Sequence, residues 1–179
     1  MKKILLLPGW MESLQLYEDH KDFHVCIGKL DDACSSTDCV VGLSLGALIA
    51  LKNIKYIKGK IILINPPIPR RTIFTWFVRW LNYVLHEGLF LERQSFTKNP
   101  IRYSRELIHC IQLLRTDFSD VFDNPQLKET LVVIRGKSDN YFCDEKAVNF
   151  LRSKNITIIE VDGGHNWNQE VEKALISNY

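Results

Sequence analysis

Short runs of apolar, mostly branched residues recur along the chain and constrain its fold more than any other feature. Six such runs lie at 3–7, 23–27, 39–43, 60–64, 130–134 and 156–161. They are continuous rather than alternating in polarity, which is typical of strands covered on both faces. Helical patterns separate several of them, at 45–55, 144–154 and 169–177. The alternation predicts an α/β fold in which about six mainly parallel strands carry helices on both faces.

The 179 residues are predicted to form a single domain with one long insertion. The fourth and fifth strands are separated by about sixty residues, which is too long for a plain connection. Residues 72–85 and 101–114 have helical patterns. Apolar side chains cover nearly the whole circumference of the first, so we expect it to be buried on more than one face. Residues 68–127 are therefore predicted to form a helical lid over the ligand-binding edge of the sheet.

Composition and charge argue against several classes of protein. A formal net charge of +2 is too small to favour nucleic-acid binding, and no apolar run is long enough to cross a bilayer. The first apolar run ends at Pro8-Gly9 with no small-residue cleavage site, which favours a strand over a signal peptide. The five cysteines lack C-x-x-C spacing, which argues against zinc and a disulfide framework. Reduced thiols in a cytoplasmic protein are the simplest interpretation.

The third strand leads directly into the sequence Gly-Leu-Ser-Leu-Gly at 42–46, and a helix is predicted to follow. A G-x-S-x-G motif between strand and helix is typical of a sharp turn that presents a nucleophilic serine, here Ser44. The helix N-terminus beside it favours developing negative charge. The alternative is a glycine-rich turn whose serine only caps the helix.

Two polar residues follow later strands in the same way. Asp139 lies in the loop after the fifth strand, and His165 lies in the loop after the sixth. In a parallel sheet such loops gather at one edge, so both side chains can converge on Ser44. For Asp139 the alternative is a plain turn aspartate.

The sequence resembles the α/β-hydrolase superfamily, in shortened form, over almost its whole length. Residues 5–10 (LLLPGW) resemble the strand and turn that carry half of the oxyanion hole, although Pro8 replaces a commoner histidine. Residues 41–47 resemble the nucleophile elbow, 134–139 the acid turn, and 163–165 the histidine loop. The order serine, acid, histidine is that of the superfamily. Asn65 follows the fourth strand, where some members carry the acid.

The resemblance implies an ester-cleaving serine hydrolase that needs no metal or cofactor. Ser44 would be the nucleophile, His165 the general base, and Asp139 the residue that orients the histidine. The backbone N–H groups of Leu45 and Trp10 would bind the oxyanion. Aromatic side chains that could accept an acyl chain are Trp10, Phe74, Trp76, Phe77 and Trp80.

Charge is distributed unevenly along the chain. Residues 70–115 carry a net charge of +5 and the remainder −3. One hypothesis is that a basic lid meets an anionic group such as an acyl carrier protein, as in the carboxylesterases that demethylate pimeloyl-acyl-carrier-protein methyl ester. The alternative is that the arginines only keep an apolar lid soluble.

Two other functions remain compatible with the sequence. A thioesterase or acyltransferase would use the same three residues on a different leaving group or acceptor. A ligand-binding protein could keep the fold without catalysis, although it would not need all three residues together.

Overall fold

The structure, a computed structural model, describes residues 4–9, 23–25, 37–87 and 100–179. Its six strands form one sheet in the order β2-β1-β3-β4-β5-β6, and every pairing of neighbours is parallel. The strands are β1 Ile4–Leu7, β2 Phe23–Val25, β3 Cys39–Leu43, β4 Lys60–Ile64, β5 Leu131–Gly136 and β6 Thr157–Val161. The predicted parallel sheet is therefore confirmed.

The described helices are α1 Leu45–Lys52, α2 Ile73–Glu87, α3 Pro100–Arg115, α4 Pro125–Thr130, α5 Glu145–Ser153 and α6 Gln169–Ile176. Short 3₁₀ turns lie at Ile54–Tyr56 and Val121–Asp123. Side-chain oxygens of Asn124, Asp144 and Asn168 accept backbone N–H groups at the starts of α4, α5 and α6. These caps satisfy N–H groups that have no partner inside the helix, which explains why the helices begin there.

Both faces of the sheet are packed, as the continuous apolar runs predict. Alternate residues along a strand point to opposite faces. Leu5, Val40 and Val133 pack on one face with α1 and α5, whereas Leu6, Val41 and Ile134 pack on the other with α6. The inner strands β1, β3, β4 and β5 therefore need apolar residues at consecutive positions, and the prediction of helices on both faces is confirmed.

The burial of α2 differs from the expectation. Trp76 is the one α2 residue that is buried, and α3 packs against α2. Five large apolar side chains on α2 are exposed, namely Phe74, Phe77, Val78, Leu81 and Leu85. The prediction of burial on more than one face is wrong for the described residues, because an apolar circumference does not specify how many elements cover it. None of the described helices combines the length and apolarity needed to span a membrane.

Candidate active site

Ser44 lies at the tight turn between β3 and α1. Its backbone is left-handed, with φ 50° and ψ −112°, a conformation that a residue with a side chain adopts at a cost. Its N–H donates to the Ile64 carbonyl at 2.8 Å. A Cβ at Gly46 would lie 1.9 Å from the Leu7 carbonyl oxygen. The second glycine of the motif is thus required by the close approach of β1, and the turn leaves Ser44 only half-buried.

Asp139 follows β5 and is completely buried. Its Oδ1 accepts the N–H groups of Tyr141 and Phe142, at 3.1 and 3.0 Å, and its Oδ2 accepts that of Cys143 at 3.1 Å. Burial by itself would raise the pKa of Asp139, but His165 and the N–H groups of Phe142 and Cys143 hold that pKa below its ordinary value. The carboxyl group is therefore ionised at neutral pH and can only accept hydrogen bonds.

His165 follows β6 and contacts both other residues. Its Nδ1 lies 2.7 Å from Asp139 Oδ2, and its Nε2 lies 2.8 Å from Ser44 Oγ. Because the carboxylate can only accept, Nδ1 donates to it, and in a neutral ring Nε2 is then free to accept from the Ser44 hydroxyl. The three residues that the sequence analysis singled out therefore form one hydrogen-bonded chain.

Backbone hydrogen bonds tie the loops of the acid and the histidine together. The N–H of Lys137 donates to the Val161 carbonyl, and that of Ser138 to the Gly163 carbonyl, both at 2.9 Å. Both loops leave the carboxyl ends of adjacent parallel strands, which brings them side by side. This is why residues separated by 26 positions in sequence meet at one edge of the sheet.

Aromatic rings surround the imidazole, and sequence reasoning missed them. The ring of Phe142 lies 4.4 Å from that of His165, and the ring of Tyr83, from α2, packs edge-on at 5.7 Å. The Tyr83 hydroxyl donates to Asn166 Oδ1 at 2.5 Å. The sequence signal for Phe142 is its place in the loop of the acid. For Tyr83 there is none, because its contacts depend on where α2 lies.

Ion pairs attach α2 and the segment before it to the acid loop. The Arg71 guanidinium makes a bidentate contact with Asp144, and Arg79 Nη2 lies 2.8 Å from the same carboxylate. Arg79 Nη1 also donates to the Tyr141 carbonyl at 2.8 Å. These contacts fix the position of α2, which forms one wall of the site beside His165.

The outcome differs among the other residues that were predicted to contact the substrate or the oxyanion. Trp10 lies outside the described residues, and Leu45 is the first residue of α1, directly after Ser44. Trp76 is buried and stacks on Phe142 at 6.3 Å, Trp80 is half-buried, and Phe74 and Phe77 are 75% and 56% exposed. The exposure of these two phenylalanines gives no support to the expectation that they accept an acyl chain.

Thiols and a further carboxylate also lie among the described residues. Burial, together with the negative charge of Asp139, raises the pKa of the Cys143 thiol well above its usual value, so Cys143 stays protonated. Asp162, close in sequence to His165, is exposed and pairs with Lys137 at 2.8 Å. Cys39, Cys110 and Cys143 are buried and form no disulfide with one another, and Cys26 and Cys34 lie outside the described residues. Within the described ranges, no group of three or more His, Cys, Asp or Glu is arranged to hold a metal ion.

Comparison with known proteins gives similarity in structure alone. No protein-family model matches the sequence, and a search of curated proteins finds no relative. The chain is similar to a carboxylesterase of Nitrososphaera gargenis, with TM-score 0.59 and 14% identity over 98% of this chain and 89% of that one. It is similar to an esterase of Thermogutta terrifontis with TM-score 0.54 and 16% identity, over 99% of this chain and 87% of that one. It is also similar to the thioesterase domain of a curacin biosynthetic pathway with TM-score 0.53 and 15% identity, over 98% of this chain and 90% of that one. Together with the parallel sheet and its two helical layers, these similarities show that the chain has the α/β-hydrolase fold.

Proposed function

We propose that this protein is a serine hydrolase that cleaves carboxylic esters through an acyl-enzyme on Ser44. The observation that carries the proposal is the continuous chain from Ser44 Oγ through both nitrogens of His165 to a buried, ionised Asp139. A serine hydroxyl is a weak nucleophile until a base takes its proton, and a second group must orient that base. Structural similarity to two esterases of low sequence identity is in keeping with this proposal.

The chemistry follows from the hydrogen bonds. Ser44 Oγ attacks the ester carbonyl carbon while its proton passes to His165 Nε2. Asp139 stabilises the imidazolium that forms and keeps Nδ1 protonated. The imidazolium then gives its proton to the departing alkoxide, which leaves as an alcohol while the acyl group stays on Ser44. A water molecule, deprotonated by His165, attacks the acyl carbon. The bond to Ser44 Oγ then breaks, the imidazolium returns its proton to Oγ, and the acid is released.

The oxyanion needs donors beside Ser44. The N–H of Leu45 is suited to this role because it is the first residue of α1, and the first N–H groups of a helix have no acceptor within it. Trp10 is proposed as the second donor, as the sequence resemblance implies. Losing one such donor raises the barrier by about 2.7–4 kcal/mol.

Ser44→Ala tests the proposed nucleophile. The wild type should react covalently with a fluorophosphonate probe and hydrolyse p-nitrophenyl esters. The alanine variant should lose labelling, and its kcat should fall on the order of 10⁴–10⁶-fold. Ser153→Ala, at the end of α5, removes an exposed hydroxyl and should behave as wild type. Labelling that persists in the Ser44 variant, mapped by mass spectrometry, would place the nucleophile elsewhere.

A thioesterase is the second candidate, because one of the similar structures is a thioesterase domain. The same residues would act, and only the leaving group would change. Parallel measurement of kcat/KM on matched acyl esters and acyl thioesters separates the two. A labelled protein that turns over neither would favour transfer to another acceptor, and an unlabelled one would favour a binding protein.

The carrier-protein hypothesis gains no support from the described arginines. Arg71 and Arg79 are both paired with Asp144, so two of the eight basic residues at 70–115 already have a partner within the chain. Arg70 and Arg115 are exposed. The pairings with Asp144 give these two arginines a role inside the folded chain, which neither the carrier-protein hypothesis nor the alternative of a soluble lid predicts.

A further inference from the structure

Asn65 lies where β4 ends, between the serine elbow and the acid loop. It is completely buried, and its φ of 45° is left-handed. Asparagine tolerates this backbone conformation better than most residues with a side chain. Its N–H donates to the Ile134 carbonyl at 2.9 Å, which extends the ladder between β4 and β5 by one bond. Neither the proton transfers nor the oxyanion site described above involves Asn65.

The amide of Asn65 connects the strand that carries the acid to the loop that carries the histidine. Its Nδ2 donates to the His165 carbonyl at 2.8 Å and to the Gly164 carbonyl at 3.2 Å. Its Oδ1 accepts the N–H of Gly136 at 2.8 Å. The side chain is thus hydrogen-bonded to the backbone of both the acid strand and the histidine loop, and none of these bonds involves the side chain of Asp139 or His165.

We propose that Asn65 is a positioning residue. It holds the backbone of His165 in the position from which the imidazole contacts both Ser44 and Asp139. The catalytic consequence rests on the proposed function of Ser44. The imidazole must keep two short contacts at once, at 2.7 and 2.8 Å. A loop backbone that shifts by about 1 Å breaks such a geometry, and misplacement of this size can cost about 10²-fold in rate.

Asparagine fits the position for a chemical reason. Two carbonyl oxygens need a donor and one N–H needs an acceptor, and a single amide supplies both. An aspartate of the same size would keep the acceptor but turn an anionic oxygen towards the two carbonyls. A leucine would remove the partner of all three backbone groups, and the contacts to His165 and Gly136 are buried.

The decisive variant is Asn65→Asp, with Asn155→Asp as its matched control. Asn155 also has a left-handed φ, of 57°, but it is exposed and lies in the turn between α5 and β6. Ester hydrolysis is measured as kcat per active site, with sites counted by fluorophosphonate titration. Asn65→Asp should lower kcat about 100-fold with KM within about threefold of the wild type. Asn155→Asp should leave both constants unchanged.

A role in stability alone predicts a different result. The active fraction and Tm of Asn65→Asp would then fall, but the titrated sites would keep the wild-type kcat, and this outcome would overturn the proposal. If the aspartate variant does not fold, Asn65→Gly accepts the same backbone φ and also removes the side-chain hydrogen bonds. The same loss of kcat per site is expected for it.

A second readout does not depend on turnover. The low-field proton resonance of His165 Nδ1–H reports its hydrogen bond to Asp139, and it should shift or vanish in Asn65→Asp but persist in Asn155→Asp. An unchanged resonance contradicts the positioning role. Absence of labelling at Ser44 in the wild type would instead contradict the proposed function, and the two failures are therefore distinguishable.

Discussion

At the scale of single residues, close approach between backbone segments fixes the site as firmly as side-chain chemistry does. Gly136 ends β5 three residues before Asp139. A Cβ there would lie 2.1 Å from the Gly164 carbonyl oxygen, which belongs to the histidine loop. Backbone at this distance cannot yield without moving the loop, so glycine is required at position 136. The sequence places this glycine in the segment 134–139 that resembles the acid turn, but the close approach that requires it is visible only in the structure.

Gly136→Ala and Gly164→Ala should have unequal effects. The first forces the histidine loop away from β5, and we expect a loss of about 1–3 kcal/mol of unfolding free energy together with a lower kcat per titrated site. The atoms nearest to a Cβ at Gly164 belong to the Glu87 carboxylate, the first at 3.3 Å, and this flexible side chain can move aside. Urea denaturation and ester hydrolysis of the two variants provide the measurement, and equal effects would refute the argument.

At the scale of secondary-structure elements, contacts with both the acid loop and the histidine loop hold α2 in place. Asp144 pairs with Arg71 and Arg79 before and within α2, and it also caps α5 through the N–H of Ala147. Further along α2, Tyr83 contacts the histidine loop. The described part of α2 therefore serves as a fixed wall of the site, and Asp144 holds its first half in place.

Asp144→Asn should loosen this attachment without removing the helix cap, because asparagine also caps well. Arg71, whose side chain is 5% exposed, would lose its counter-charge. We expect a loss of about 1–3 kcal/mol near pH 7. Asp123→Asn breaks a more exposed pair with Lys154 and should cost less than about 1 kcal/mol.

The difference in stability between the wild type and Asp144→Asn should depend on pH in a definite direction. Burial by itself would raise the pKa of Asp144, but Arg71, the Ala147 N–H and Arg79 hold that pKa below its ordinary value. Because the pKa is lower in the folded than in the unfolded state, the ionised carboxylate stabilises the protein at neutral pH, and this contribution is lost as the pH falls through the folded-state pKa. The stability difference between wild type and Asp144→Asn should therefore shrink progressively as the pH falls below about 4. A difference that grows towards acid pH would contradict this assignment.

At the scale of the whole molecule, a sheet with two apolar faces needs a cover on each. Among the described helices, α1 and α5 pack on one face, whereas Val171 and Leu175 of α6 pack on the other with Ile62 and Ile134. The strands that carry the acid and the histidine are thus supported from one side by the last described helix. The loss of this contact should affect the entire fold.

Leu175→Ala tests the dependence on α6. Leu175 is completely buried, and its truncation should cost about 2–5 kcal/mol through lost burial and a new cavity. Ile176→Ala changes the next residue of the same helix, which is 53% exposed, and should cost about 0.5 kcal/mol or less. Urea midpoints at an unchanged m value measure both. Similar losses would show that α6 does not cover the sheet as described.

The fold and the candidate triad were predictable because both depend on local sequence. A strand buried on two faces needs a continuous apolar run, and a serine elbow needs glycines beside it, so each leaves a pattern within a few residues. Parallel strands then bring Ser44, Asp139 and His165 to one edge without further information. The observed contacts between the three follow that reasoning, and their catalytic roles remain the proposal to be tested.

Only the tertiary structure decided what surrounds these residues. The amide of Asn65 reaches backbone groups 71 to 100 positions away, and Tyr83 meets His165 because of where α2 lies. Such contacts depend on the packing of distant elements and leave no periodic pattern in the chain. The exposed apolar side of α2 has the same origin, since hydrophobicity records a preference for burial but not which element provides it. The sequence by itself therefore determined the strands, the candidate triad and the order of its serine, acid and histidine along the chain. Packing decided how the triad is held.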